Sequence, residues 1–367
     1  MRNKLMTGTM LTALSLSVLA GCGSNDNNDK PAASASATPA ASASASSDSQ
    51  GSAEPAKLSG KVTIYSPNQA EINNPILKEF QDRTGVEVEL ISGGTGELLK
   101  RVQAEDGRPL GDVFFGGGAE SLAAYAKYFE EYATTESANI GEAYKDKANH
   151  FTPFSALPMV IMYNKDLVKA GEEPKGWADL LDPKWKGKIA FADPAKSGSS
   201  FTQVVTMLSA FGRDDGKGWD YVRSFIDNLD GKILSGSSMV YKGVADKEFP
   251  LGVTLEEAAL RNLEGGANVG LIYPTEGTSA VPDGLAIIKG AKNMENAKAF
   301  VDFAVGKDVQ NMLQSEFKRR PVRTDAAEAT GIPSSKDIKL VEYDFDWASE
   351  NKDAVMKKFN NILIGAE

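Results

Sequence analysis

Nothing limits the folds open to this chain more than its alternation of short β-rich runs with amphipathic helical stretches, the runs ending in Gly or Ser. Lys61 to Tyr65 is one such run, and Ser66-Pro67 behind it reads as a helix N-cap with proline at the first helical position. A helix is predicted from about Asn68 to Arg83, with Ile72, Ile76, Leu77 and Phe80 at helical spacing and Gly85 as its stop. Val86 to Ile91 is the next strand, after which Gly93-Gly94-Thr95-Gly96 opens a helix carrying Leu98, Leu99 and Val102. Asp112 to Phe115 then runs into Gly116-Gly117-Gly118 and a helix from Glu120. This pattern predicts an α/β fold with mixed, mostly parallel sheets, flanking helices and a ligand face at the strand C-termini.

The chain has 367 residues, enough for two domains. Ala156 to Tyr163, a continuous apolar strand, is placed at the crossing into the second domain. The second domain holds Trp177 and Trp185, a strand from Lys188 to Phe191, and Ser197-Gly198-Ser199-Ser200 with a helix behind it to Ala210. Residues 219 to 230 read as helical, Gly236-Ser237-Ser238 starts a further helix, and Val253 to Glu264 reads as helical with Glu256 and Glu257 early. Val269 to Tyr273 is a strand that leads toward Glu276; Leu285 to Lys289 returns to the first domain; Glu295 to Phe317 supplies helices. The expected division is 59–158 and 281–335 for the first domain, 159–280 for the second and 336–367 for a C-terminal helical segment packing back on one of them.

Composition narrows the chemistry. With 40 Lys plus Arg against 50 Asp plus Glu, the net charge of −10 would repel a phosphate backbone, and no nucleic-acid partner is expected. A single Cys rules out an internal disulfide or a Cys-based zinc cluster, and a single His, His150, leaves one candidate for any triad or His-rich metal site. Neither a Gly-x-Ser-x-Gly elbow nor a phosphate-binding P-loop occurs. No catalytic residue, cofactor or metal ligand is expected.

Residues 1–21 read as a secretory signal, with Arg2 and Lys4 before an apolar run from Met6 to Ala20. Leu19-Ala20-Gly21-Cys22 is similar to a bacterial lipobox, which implies a lipidated Cys22 and attachment to the outer face of the cell membrane. Residues 22–58 hold almost nothing bulky and apolar; Pro31 to Gln50 is nearly all Ala, Ser and Pro, a flexible linker by composition. Such a coil has a reach of roughly 30 to 35 Å.

Several blocks together resemble the type II periplasmic-binding fold, in the ferric-ion and organophosphate branch of ABC-importer solute receptors. They are VTIYSPNQ, FQDRTGVEVEL, GGTGELLKRVQAE, GDVFFGGG, YNKDLV, WADLLDPKWKGKIAFADPAKSGSS and VPDGLAIIKGAKNMENAKAFVDF, spanning about 59 to 325. The resemblance implies two lobes joined by two hinge strands, closing over a solute and passing it to a permease and ATPase; a monomer is expected. Iron-binding members hold the ion with an early His, a Glu after the third strand and two adjacent Tyr. Here Asn68 and Gln69 occupy the His region, Gly117 the Glu position and Val253-Thr254-Leu255 the Tyr region. Ferric ion favours anionic oxygen ligands, so bare iron is the weaker reading. Similar receptors bind hexose phosphates, phosphoglycerate-type acids and aminoethylphosphonate.

What stands in place of those ligands is Ser, Thr and Gly at helix starts, where free N–H groups and the helix dipole favour an anion. The candidate ligand residues are Ser66, Asn68, Thr95, Gly96, Gly117, Gly118, Ser199, Ser200, Ser237 and Ser238, with Glu276 at the hinge for sugar hydroxyls or an ammonium group. Each has a purely structural alternative: capping for the serines, a tight turn for the Thr-Gly and Gly-Gly pairs, a hinge hydrogen bond for Glu276. The stretch Lys318-Arg319-Arg320-Pro321-Val322-Arg323 reads as a solvated or permease-facing patch, with contact to an anionic ligand as its alternative. The function expected is anion capture for import. Iron capture and service as co-receptor for a histidine kinase are the alternatives.

Overall fold

The structure is a computed structural model that describes residues 58–327 and 331–366. The signal, Cys22 and the linker lie outside the described residues. The chain begins β1 (Lys61–Ser66), α1 (Ala70–Thr84), β2 (Glu87–Ser92), α2 (Thr95–Ala104), β3 (Val113–Gly118) and α3 (Ala119–Ala123). β4 (Thr152–Asn164) follows, then β5 (Ile189–Ala190), α4 (Gly198–Phe211), α5 (Lys217–Leu229), α6 (Ser237–Ala245), β6 (Leu251–Leu255), α7 (Glu256–Glu264) and β7 (Val269–Ile272). β8 (Ala280–Ile287), α8 (Met294–Ala304), α9 (Lys307–Phe317), β9 (Arg320–Pro321), α10 (Phe345–Glu350) and α11 (Lys352–Leu363) complete it.

Strand order is β2-β1-β3-β8-β4-β6-β5, with β7 and β9 also paired to β4. β4 is the axis of the molecule. Its first part, Thr152 to Pro158, pairs antiparallel with β8, and its second part, Met159 to Asn164, pairs antiparallel with β6 and β7. One 13-residue strand therefore serves both lobes, and β8 returns beside it. The sheets are mixed, as expected, but antiparallel strand pairs outnumber parallel ones among the described residues. Among the described strands, parallel ladders are β1–β2, β1–β3 and β5–β6, because the long crossing and return strands run against their neighbours.

One core lies in the second lobe, built on Val160, Ile161, Phe191, Phe201, Val205, Phe225 and Leu251; Val355, Phe359 and Ile362 of α11 are buried in it. The first lobe is filled on both faces of its sheet. Phe115 meets Phe154 and Phe300 edge-on at 4.9 and 5.4 Å between ring centroids, a favoured geometry for aromatic pairs. On the other face lie Leu98, Leu99, Phe114 and Leu122. Trp177 and Trp185 are buried core residues, and Trp219 packs against the same cluster.

Two local expectations fail. Ser66 does not cap α1; it is the last residue of β1, and the chain bends at Asn68 before Gln69 takes the N-cap position. Val253 to Leu255 is strand, not helix: β-branched Val253 and Thr254 pair with β4, and the helix waits for Glu256 and Glu257, whose charges suit a first turn.

Candidate functional site

A cavity of about 260 Å³ opens between the lobes, just below the common ligand-pocket range of roughly 300–1,000 Å³. Five helices present their N-termini to it without a capping side chain. The N-cap residues are Gln69 for α1, Gly94 for α2, Gly118 for the short α3, Gly236 for α6 and Leu255 for α7, and all five line the cavity. The first N–H groups of a helix have no partner inside it, so these ends offer donors and positive potential to whatever occupies the space. A sixth end, α4, is capped by the Ser197 hydroxyl, which accepts from the Ser200 N–H at 3.3 Å.

The lobes touch on both rims. On one side the Gly96 N–H donates to the Lys196 carbonyl at 3.4 Å, an approach that only glycine permits, since a Cβ there would lie 2.2 Å from the Ala195 carbonyl oxygen. On the other side the Arg261 guanidinium donates to Gln69 Oε1. Gly117, at φ +79, turns the exit of β3 so that its Cα face lies against Thr95; a side chain would collide with it.

Of the sequence candidates, Asn68, Thr95, Gly117, Gly118, Ser199, Ser237 and Ser238 line the cavity together. The others do not. Ser66 is fully buried behind it, its hydroxyl donating to the Phe115 carbonyl at 2.6 Å. Gly96 is spent on the lobe contact. Ser200 points into α4, its hydroxyl 3.2 Å from that of Ser197. Glu276 accepts the N–H groups of Trp177 and Ala178 at 3.0 and 2.8 Å, so its charge caps the turn at Ala178–Leu181.

The basic stretch is the larger correction. Arg319, Arg320 and Arg323 are buried, not solvated. Arg320 holds Glu256 through two bonds of 2.8 Å, and Arg323 reaches Asp325 and Glu136. Arg319 lines the cavity, 2.6 Å from Asp283 and 3.7 Å from Glu257. Sequence reasoning carried Arg319 only as the alternative reading of its basic stretch and missed Asp283 and Glu257 as cavity residues. The only signal was the pair Glu256-Glu257 in a first turn and a matching pair Arg319-Arg320 behind α9. Formal charges on the lining thus balance, Lys196 and Arg319 against Glu257 and Asp283. Thr202, also on the lining, donates its hydroxyl to Glu120 behind it, whose carboxyl burial pushes up from the usual range.

Two lobes on shared strands around a solute-sized cavity define a type II periplasmic-binding receptor. The sequence profile of the bacterial extracellular solute-binding protein family matches residues 109–346, and the chain belongs to that family. A probable ABC transporter periplasmic-binding protein of Sinorhizobium fredii is 27% identical over 83% of this chain and 85% of its own length. Iron uptake protein A1 of Synechocystis is 27% identical over 80% and 82%. A putative 2-aminoethylphosphonate-binding periplasmic protein of Salmonella typhimurium is 26% identical over 67% and 72%. Among solved structures, the periplasmic binding protein AfuA of Actinobacillus pleuropneumoniae, with fructose-6-phosphate bound, superposes with a TM-score of 0.78 at 26% identity, covering 83% of this chain and 98% of that one.

Proposed function

We propose that this protein captures a small organophosphate outside the cell by closing two lobes over it, and hands it to the permease and ATPase of an ABC importer. The observation that carries this reading is the convergence of five uncapped helix N-termini on one cavity. A phosphate or phosphonate group can accept from those N–H groups and from the hydroxyls of Thr95, Ser199, Ser237 and Ser238. The ligand touches both lobes at once, so its binding energy favours the closed arrangement over the open one. Relatives described as binding 2-aminoethylphosphonate, and a structural neighbour holding fructose-6-phosphate, fit an anionic ligand of this kind. The relative described as an iron uptake protein makes iron the competing cargo, although among the described residues no three His, Cys, Asp or Glu side chains come together as a metal site.

A thermal-shift screen of residues 58–367 against sugar phosphates, phosphonates, phosphoglycerate and chelated iron tests the reading. A phosphorylated ligand should raise the melting temperature progressively with concentration. A rise with chelated iron alone would replace the proposal. The same proposal places the receptor on the outer membrane face through lipid on Cys22. Cys22→Ser should move the protein from the membrane fraction to the soluble one, and unchanged membrane association would remove the anchor from the scheme.

A further inference from the structure

We propose that Arg319 and Glu257 together read a hydroxyl group on the ligand, which makes the solute a polyol phosphate and not an aminoalkylphosphonate; this rests on the organophosphate reading above. The two side chains come from opposite lobes, Arg319 from the segment after α9 and Glu257 from the first turn of α7. Both line the cavity and both are buried, at 3% and 1% exposure. Glu257 Oε2 accepts from Arg261 Nε at 2.7 Å, while Glu257 Oε1 has no hydrogen-bond partner. Arg319 donates to Asp283, Ser155 and Asn68, while its Nε has none. Their nearest approach, 3.7 Å, lies outside hydrogen-bond range.

The neighbouring pair shows that the loose contact is specific to this position. One residue along on both segments, Arg320 closes on Glu256 with two bonds of 2.8 Å. At the cavity, the same pairing leaves one acceptor and one donor over. A hydroxyl satisfies both, since it donates to the carboxylate and accepts from the guanidinium. An ammonium group can serve only the carboxylate, and the guanidinium beside it repels it. Buried polar groups left unpaired weaken binding, so the site discriminates between the two classes.

Calorimetric titration of the wild type with fructose 6-phosphate, 2-aminoethylphosphonate and inorganic phosphate tests the inference. Fructose 6-phosphate should bind at least about tenfold more tightly than 2-aminoethylphosphonate. In Glu257→Gln, the ratio of fructose 6-phosphate to inorganic phosphate affinity should drop at least about tenfold. Equal or tighter binding of 2-aminoethylphosphonate, with phosphates still bound, overturns this inference and leaves the organophosphate reading standing. Binding of none of the three removes both. If Glu257→Gln does not fold, the wild-type comparison by itself supports or overturns the inference.

Discussion

A methyl group on Gly96 would press against the Ala195 carbonyl oxygen at 2.2 Å, across the line where the lobes meet. Backbone cannot give way there as a flexible side chain would, so Gly96→Ala should prop the rim open. The expected result is an affinity for the phosphorylated ligand lower by about tenfold, with a larger radius of gyration in small-angle scattering of the ligand-saturated protein. Unchanged affinity would show that this rim does not have to close. For Glu276 the opposite outcome is expected. Its carboxylate caps the turn at Trp177 and Ala178 and does not line the cavity. Glu276→Ala should lower stability by about 1 kcal/mol in urea melts and leave ligand affinity as it was. A large loss of affinity at full stability would restore it to the binding site.

At the level of elements, α4 separates two jobs between serines that look alike in sequence. Both Ser197 and Ser199 line the cavity, but the Ser197 hydroxyl is engaged as the N-cap, accepting from the Ser200 N–H, while Ser199 caps nothing. Ser197→Ala should therefore destabilise the fold by about 1 kcal/mol, and Ser199→Ala should weaken ligand binding with little change in stability. The reverse assignment in paired melting and titration experiments would contradict the geometry. The start of α1 shows why such details elude sequence. Ser-Pro is a good helix opening locally, but pairing of β1 with β2 extends as far as Ser66, and the ladder prevails over the cap.

At the scale of the whole molecule, the C-terminal segment ties the lobes together. Phe345 packs against Phe151 of the first lobe, and α11 is buried in the core of the second. Between them, Lys352 donates to Ser121 on α3 at 2.8 Å and lies 3.8 Å from the centre of the Phe201 ring on α4. Burial pushes its ammonium down to about 8, against the pull of Glu120 and Asp353. In the unfolded chain the group titrates near the ordinary lysine value of about 10.4. Between those values the unfolded chain holds a proton that the folded one has released, so this group's contribution to stability rises with pH across the window. The wild-type stability minus that of Lys352→Met should increase by up to about 3 kcal/mol from pH 7.5 to 10.5. A flat difference in urea melts would place the lysine in water.

Strand and helix alternation with glycine at strand exits was enough to define an α/β fold, because it follows from local periodicity and short-range backbone chemistry, and the resemblance of the quoted blocks implied its two lobes. Seven cavity residues were legible for the same reason: helix starts after strands fall on one face of an α/β sheet. The charged floor was not. Arg319, Asp283 and Glu257 come from the end of α9, the return strand and the second lobe, far apart in the chain, and an arginine in a basic run gives no local sign of whether it will be buried. Only the closing of the lobes on β4 and β8 brings those charges to one place, and there desolvation obliges them to pair with each other or with a ligand.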